Sequence, residues 1–219
     1  MGRKRTAILI SGRGSNMAAL IAAAGAADYP AEISVVLSNR PGAAGLRHAA
    51  SAGTATAAVD HTAFGADRAA FEHALQVHLD RHRIDIVCLA GFNRLLTAAF
   101  VAHWSGRIVN IHPALLPSFK GLHTHEQALE AGVRIHGATV HYVVPEVDAG
   151  PIIAQAAVPV LDGDTPDTLA GRVLAAEHRP YPAALRLVAS GTARLTPQGV
   201  APGSAVADPG VQLIVPDPT

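Results

Sequence analysis

Short apolar runs rich in β-branched residues alternate with alanine-rich stretches of helical period through the first half of the chain. The runs span 6–11, 33–38, 54–59, 85–90 and 107–111, and the helical stretches 16–27, 43–52, 66–83 and 97–103. This alternation leaves few solutions. Each run becomes a strand buried on both faces, and each helix crosses back over the sheet. Successive strands then come out parallel, so the fold class is α/β with a mostly parallel twisted sheet and helices on both faces.

The pattern changes after residue 111. Pro113, Pro117 and Gly121 make 112–125 a loop, with a helix following. The runs 139–144 and 152–160 flank a Pro-bounded connection from Pro145 to Pro151, which predicts an antiparallel, hairpin-like pair. Residues 165–190 read as helical, with a break near Pro180 and Pro182. From Thr196 onward Pro and Gly crowd the chain without periodicity, which predicts a poorly ordered tail outside the chemistry. The expected organisation is one domain over 1–195 and a tail over 196–219. The domain divides into a phosphate-binding half (about 1–105) and a catalytic half (about 106–195).

Composition narrows the function classes. With 219 residues, 49% of them hydrophobic, the chain can bury a useful core. Lys+Arg and Asp+Glu both number 17, so nothing in the charge points to nucleic acid. Cys88, the single cysteine, sits within an apolar run and reads as a buried structural thiol. Arg3-Lys4-Arg5 precedes an apolar run, but that run is too short for a signal peptide and ends in Ser11-Gly12. No stretch approaches the ~18 apolar residues of a membrane span. The expectation is a soluble cytoplasmic protein without a membrane partner.

Ile10-Ser11-Gly12-Arg13-Gly14-Ser15-Asn16 lies between the first strand and the first helix. Its glycines allow close backbone approach, and the N–H groups of Gly14, Ser15 and Asn16 would face an anion at a helix start. A dinucleotide fingerprint would want a third glycine where Met17 stands, and an acidic residue where Asn39-Arg40 stand. The Gly-Lys-Ser/Thr of a triphosphate loop is absent. The loop suits a smaller phosphate ester, and its composition leaves a tight turn with an N-cap at Ser15 or Asn16 equally open.

Asn110 and His112 flank Ile111 at the end of the fifth strand. Residues two apart in a strand point the same way, so amide and imidazole would share one crevice at a strand carboxyl end. An asparagine amide donates to an oxyanion without titrating, and a histidine moves a proton near neutral pH. Together they suit addition of a nucleophile to a carbonyl. Asp148, in the Gly/Pro-bounded loop, could reach the histidine and favour its imidazolium form. Each has an ordinary alternative. Most of the 12 histidines must be structural, and an aspartate alone is a common turn residue.

Six segments in this order resemble the phosphoribosylglycinamide formyltransferases. They are the glycine loop, Ala90-Gly91-Phe92-Asn93-Arg94-Leu95-Leu96, Asn110-Ile111-His112-Pro113-Ala114-Leu115-Leu116-Pro117, Gly121-Leu122-His123-Thr124-His125, His136-Gly137-Ala138-Thr139-Val140-His141 and Asp148-Ala149-Gly150-Pro151-Ile152. The resemblance implies a Rossmann-like formyltransferase fold with an antiparallel C-terminal extension. It implies transfer of a formyl group from 10-formyltetrahydrofolate, as co-substrate, to the amine of glycinamide ribonucleotide in purine synthesis. By the same likeness Asn110 stabilises the oxyanion, His112 donates the proton and Asp148 holds His112 protonated. Gly14, Ser15 and Asn16 take the 5′-phosphate, and Glu177 the ribose. Arg68, Asn93, Arg94, Leu95 and Leu96, with Asn110, line the folate pocket.

No metal is implied, the partners are small molecules, and the chain is expected as a monomer or homodimer. Two positions depart from the family pattern: Asn93 where some members carry Met, and Ala149 where some carry Gly. Arg68 and Glu177 could be solvated helix charges, and Leu95 and Leu96 core residues. His123, His125, His136 and His141 are expected to be structural. Related formyl-folate enzymes with an added regulatory or RNA-binding domain are disfavoured by length and charge. A sensor on the same fold is disfavoured by the full Asn110, His112 and Asp148 set.

Overall fold

A computed structural model describes residues 2–201. Seven strands form a single sheet in the order β3-β2-β1-β4-β5-β6-β7, with parallel pairings among the first five and antiparallel pairings from β5 to β6 and from β6 to β7. The strands are β1 (Lys4–Ile10), β2 (Ala31–Ser38), β3 (Thr56–Ala58), β4 (Ile86–Leu89), β5 (Ile108–His112), β6 (Ile135–Tyr142) and β7 (Ile152–Pro159). The crossovers are α1 (Ser15–Ala24), α2 (Ala44–Ser51), α3 (Arg68–Arg81) and α4 (Ala98–His103). After β5 the sheet turns antiparallel, with α5 (Thr124–Glu130) before β6 and α6 (Pro166–Glu177) and α7 (Pro180–Ala189) after β7. Among the described residues no helix is long and apolar enough to cross a membrane.

The period-2 alternation of the strands builds two cores. Ile8 and Ile10 of β1, Cys88 of β4 and Val109 and Ile111 of β5 pack with Met17, Leu20, Leu169, Val173, Tyr181 and Leu185. Ala7 and Leu9, Val87 and Ile108 face the other way, onto Phe71, Leu75 and Leu79 of α3 and Phe100 and Trp104. A one-residue slip in any of these strands would exchange the two sets, so register is strongly specified. Tyr181 adds a polar tie, its hydroxyl donating to the carbonyl of Leu89 at 2.8 Å under the sheet.

The expected elements are all present, with displaced ends. The 3-10 turn His61–Phe64 takes the approach to α3, which starts at Arg68, where the Asp67 side chain caps it. β6 begins at Ile135, ahead of the expected 139, because it pairs along β7 from Ile135↔Pro159 onward. The helical stretch 165–190 breaks between Glu177 and Pro180, and Pro180 opens α7, where its missing N–H costs nothing.

One expectation is corrected. The chain at Thr196 is not structureless: β8 (Arg194–Thr196) pairs antiparallel with β9 (Gly199–Ala201). Turn residues Pro197 to Gly199 masked this hairpin, since each strand is too short to show a period. The rest of the expected tail, 202–219, lies outside the described residues.

Strand order reverses between β1 and β4: from β1 the chain builds outward to β2 and β3, then returns to β4 and β5. Open α/β sheets place ligands beyond the strand carboxyl ends at such a point. The loops leaving β1, β4 and β5 all open there.

Candidate active site

Asn110 and His112 continue the phase of Ile108 along β5, with Val109 and Ile111 committed to the opposite core. They therefore emerge on one side, as the spacing predicts. His112 is 5% exposed. Its Nδ1 lies 3.3 Å from Oδ2 of Asp148, and its Nε2 2.9 Å from the carbonyl oxygen of Phe119. Both ring nitrogens thus face oxygen acceptors, a pattern that a donor-only, doubly protonated ring satisfies.

The loop between β6 and β7 delivers Asp148. Tyr142 donates its N–H to Pro151 at 3.0 Å, so the loop closes tightly over the end of β6. Gly150 makes this closure feasible: a Cβ there would lie 1.6 Å from the Tyr142 carbonyl oxygen. Asp148 has φ +50, a left-handed conformation that Asp tolerates better than most residues. Its Oδ2 also accepts the Gly121 N–H at 2.9 Å, and its Oδ1 lies 3.8 Å from Nε2 of His141.

His141 stands directly opposite Asn110 in the β5–β6 register, and its Nε2 lies 3.3 Å from Asn110 Nδ2. Asn110, His141, Asp148 and His112 so gather into one cluster of polar groups. Sequence reasoning left His141 among the structural histidines. The signal was in the pattern: Thr139 and His141 alternate along β6 as Asn110 and His112 do along β5, but only the register pairs them. Thr139, opposite His112, accepts the Leu116 N–H at 3.0 Å and donates to Ala114 at 2.7 Å. It pins the chain leaving His112.

His125 and His136 are support. His136 is fully buried and packs edge-on against Phe119 and His125, with centroids 5.7 and 5.3 Å apart. Burial pushes its imidazole down to about 4, so it is neutral at pH 7. Phe119 itself is left-handed (φ +56), and its carbonyl is the one His112 meets. Among the described residues no group of three or more His, Cys, Asp or Glu could hold a metal ion.

The glycine loop does not take the side-chain N-cap at Ser15 or Asn16 that its composition left open. Gly14 is the N-cap of α1 at φ +77, and no side chain caps the helix. The N–H groups of its first turn are thus left for an outside acceptor. Asn16 turns its side chain away, donating from Nδ2 to Oε2 of Glu177 at 2.6 Å. Glu177 ends α6 and is 5% exposed, not a solvated helix charge. Burial pushes its carboxyl up to about 7, against the opposing hydrogen bond from Asn16.

The β4–α4 loop holds Asn93, Arg94, Leu95 and Leu96. The Asn93 N–H donates to Ser11 Oγ at 2.8 Å and the Arg94 N–H to Phe92, so both are spent inside the protein. Ser11 in turn donates to Asn39 at 2.6 Å, tying this loop to the glycine loop. Leu95 is 63% exposed, whereas Leu96 packs on the second core. Arg68 opens α3, exposed, three positions before Phe71, whose ring stacks on Phe92. No side-chain hydrogen bond among the described residues joins Arg68 to this loop or to Asn110.

The model of the formyl transferase family matches residues 4–185. The chain belongs to this family. It is 45% identical over 188 residues to the phosphoribosylglycinamide formyltransferase of Escherichia coli, covering 86% of this chain and 88% of that one. It is 51% identical over 197 residues to the human trifunctional purine biosynthetic protein adenosine-3, and spans 19% of that protein's length. The crystal structure of phosphoribosylglycinamide formyltransferase from Brucella melitensis superposes with a TM-score of 0.82 at 56% identity, covering 86% of this chain and 97% of that one. A formyltetrahydrofolate deformylase from Pseudomonas syringae shares the fold, with a TM-score of 0.85 at 24% identity.

Proposed function

We propose that this formyl transferase moves the formyl group of 10-formyltetrahydrofolate to the amine of N1-(5-phosphoribosyl)glycinamide, in de novo purine synthesis. The observation that carries the reading is the cluster of Asn110, His141, Asp148 and His112 at the same sheet end as an uncapped glycine loop. The relatives of full length add the substrate class.

The amine nitrogen adds to the formyl carbon, and the carbonyl π pair moves onto oxygen. Asn110 donates an N–H to that oxyanion. As the tetrahedral intermediate collapses, the bond to folate N10 breaks, N10 gains a proton and the amine nitrogen loses one. His112, held in place by Asp148 and the Phe119 carbonyl, supplies the proton to N10, and the proton the amine nitrogen loses returns through water to His112, so no net proton is consumed. The products are formylglycinamide ribonucleotide and tetrahydrofolate. Gly14, Ser15 and Asn16 hold the 5′-phosphate and Glu177 the ribose. Arg68 with Asn93, Arg94, Leu95 and Leu96 lines the folate side. Asn93 and Arg94 have committed N–H groups, so they contribute carbonyls and side chains there. The substrates are small and diffusible, which fits a cytoplasmic enzyme acting as monomer or homodimer.

Incubation with both substrates tests the reading. Tetrahydrofolate release that depends on the ribonucleotide is expected. Folate turnover at the same rate without it would make the chain a hydrolase, and no turnover by folded protein refutes both.

A further inference from the structure

His141 is 2% exposed, and its two ring nitrogens meet opposite partners. Nδ1 lies 2.9 Å from the carbonyl oxygen of Tyr142. A carbonyl only accepts, so Nδ1 carries hydrogen. Nε2 lies 3.3 Å from Asn110 Nδ2, an amide nitrogen that only donates. Nε2 must then offer its lone pair. Both contacts demand the same species, the neutral ring protonated on Nδ1. The other neutral tautomer sets lone pair against carbonyl at one end and donor against donor at the other.

The imidazolium ring fares no better. It would bury a charge and point a second N–H at the amide nitrogen, with only Asp148 Oδ1, 3.8 Å away, in compensation. The titratable groups facing the ring are Asp148 of the β6–β7 loop and His112 of β5. Asp148 favours the charged form and His112 opposes it, while burial, the largest effect, holds the imidazole below its usual range.

We propose that His141, locked as the neutral Nδ1–H tautomer, is the positioning residue for Asn110. Its Nε2 lone pair takes one N–H of the amide and leaves the second for the oxyanion. An asparagine amide is nearly symmetric in shape, so packing alone does not distinguish its oxygen from its nitrogen. A lone pair at the cross-strand position does. Among the described residues Asn110 makes no other side-chain hydrogen bond. Without His141 the amide could turn its oxygen toward the reacting carbonyl, repelling the charge it should stabilise. The proposal rests on the formyl-transfer reading, because that reaction supplies the oxyanion.

The test has two arms. In protein carrying 15N-labelled histidine, long-range 1H–15N correlation identifies Nε2 as the nitrogen coupled to both ring C–H protons. For His141, assigned by its loss in His141→Gln, Nε2 is expected unprotonated and Nδ1 protonated from about pH 6 to about pH 9. A protonated Nε2 overturns the proposal. In kinetics, His141→Leu is expected to lower kcat about tenfold or more with both KM values within about twofold. His141→Gln keeps an acceptor near the Nε2 position and is expected to recover kcat to within about threefold of the unaltered protein. Equal kcat losses in the two variants, or none in His141→Leu, overturn it. If His141→Leu fails to fold, the spectrum of the unaltered protein and the His141→Gln rate decide. Absence of formyl transfer in the unaltered protein defeats the functional reading instead, and the spectrum still reads the tautomer.

Discussion

Asn16 Nδ2 sits 2.6 Å from Glu177 Oε2, joining two buried side chains 161 positions apart. One opens the helix behind the glycine loop and the other closes α6. Because burial penalises its charge more than the Asn16 hydrogen bond relieves it, Glu177 holds its proton up to about 7. A carboxyl raised in this way costs stability once it must ionise. The penalty is absent below the ordinary carboxyl value near 4.5 and complete above about 7. Stability therefore falls as pH rises through that window. Glu177→Gln keeps an acceptor for Asn16 and removes the charge. Unfolding free energies from urea titration should converge near pH 4.5 and separate by up to about 3 kcal/mol in favour of Glu177→Gln at pH 8. Parallel pH dependence in the two proteins would refute the assignment.

His112→Ala should lower kcat by about 10²-fold or more, while ribonucleotide affinity changes little. Titration of the ribonucleotide by calorimetry beside steady-state rates separates the two effects. The glycine loop and Glu177 are made by β1, α1 and α6 and do not depend on the His112 ring. An unchanged rate would remove His112 from the chemistry.

Asp148→Asn retains an oxygen for the Gly121 N–H, so the loop should keep its place. What it loses is the negative oxygen beside His112. The expected result is a kcat loss of about 10²-fold with an unaltered melting temperature. A melting temperature lowered in step with activity would make the role of Asp148 structural.

Gly150→Ala tests the loop closure. The added Cβ would lie 1.6 Å from the Tyr142 carbonyl oxygen and 3.3 Å from His141 Nδ1. Backbone must move, at a cost of about 1–3 kcal/mol by denaturant unfolding. The movement should carry Asp148 off His112 and depress kcat together with stability. Full activity in this variant would show that the loop has another way to close.

Much of this was legible in the chain. Alternating apolar runs determined the parallel sheet and its two cores, since a period of two or of 3.6 is a property of neighbours in sequence. The Asn110 and His112 pair was legible for the same reason, being two positions on one strand. The first-turn N–H groups of α1 were legible as a glycine loop, though whether Ser15 or Asn16 capped them was not. Arg68 and the 93–96 segment were placed by family likeness alone, and no side-chain hydrogen bond among the described residues joins Arg68 to that segment.

Tertiary structure decided the rest. The short β8–β9 hairpin carried no period to detect. Asp148 reaches His112 because the Tyr142–Pro151 hydrogen bond and the bare Cα of Gly150 fold the loop over β6. His141 reaches Asn110 because the antiparallel register sets them opposite. Glu177 reaches Asn16 because α6 and α1 pack on one face of the sheet. Each meeting joins groups far apart in sequence, and its energy comes from register and burial, which no local pattern records. The sequence by itself determined the main strands and helices, their faces and the Asn110–His112 pair. Only the packing of those elements decided which oxygen meets which nitrogen.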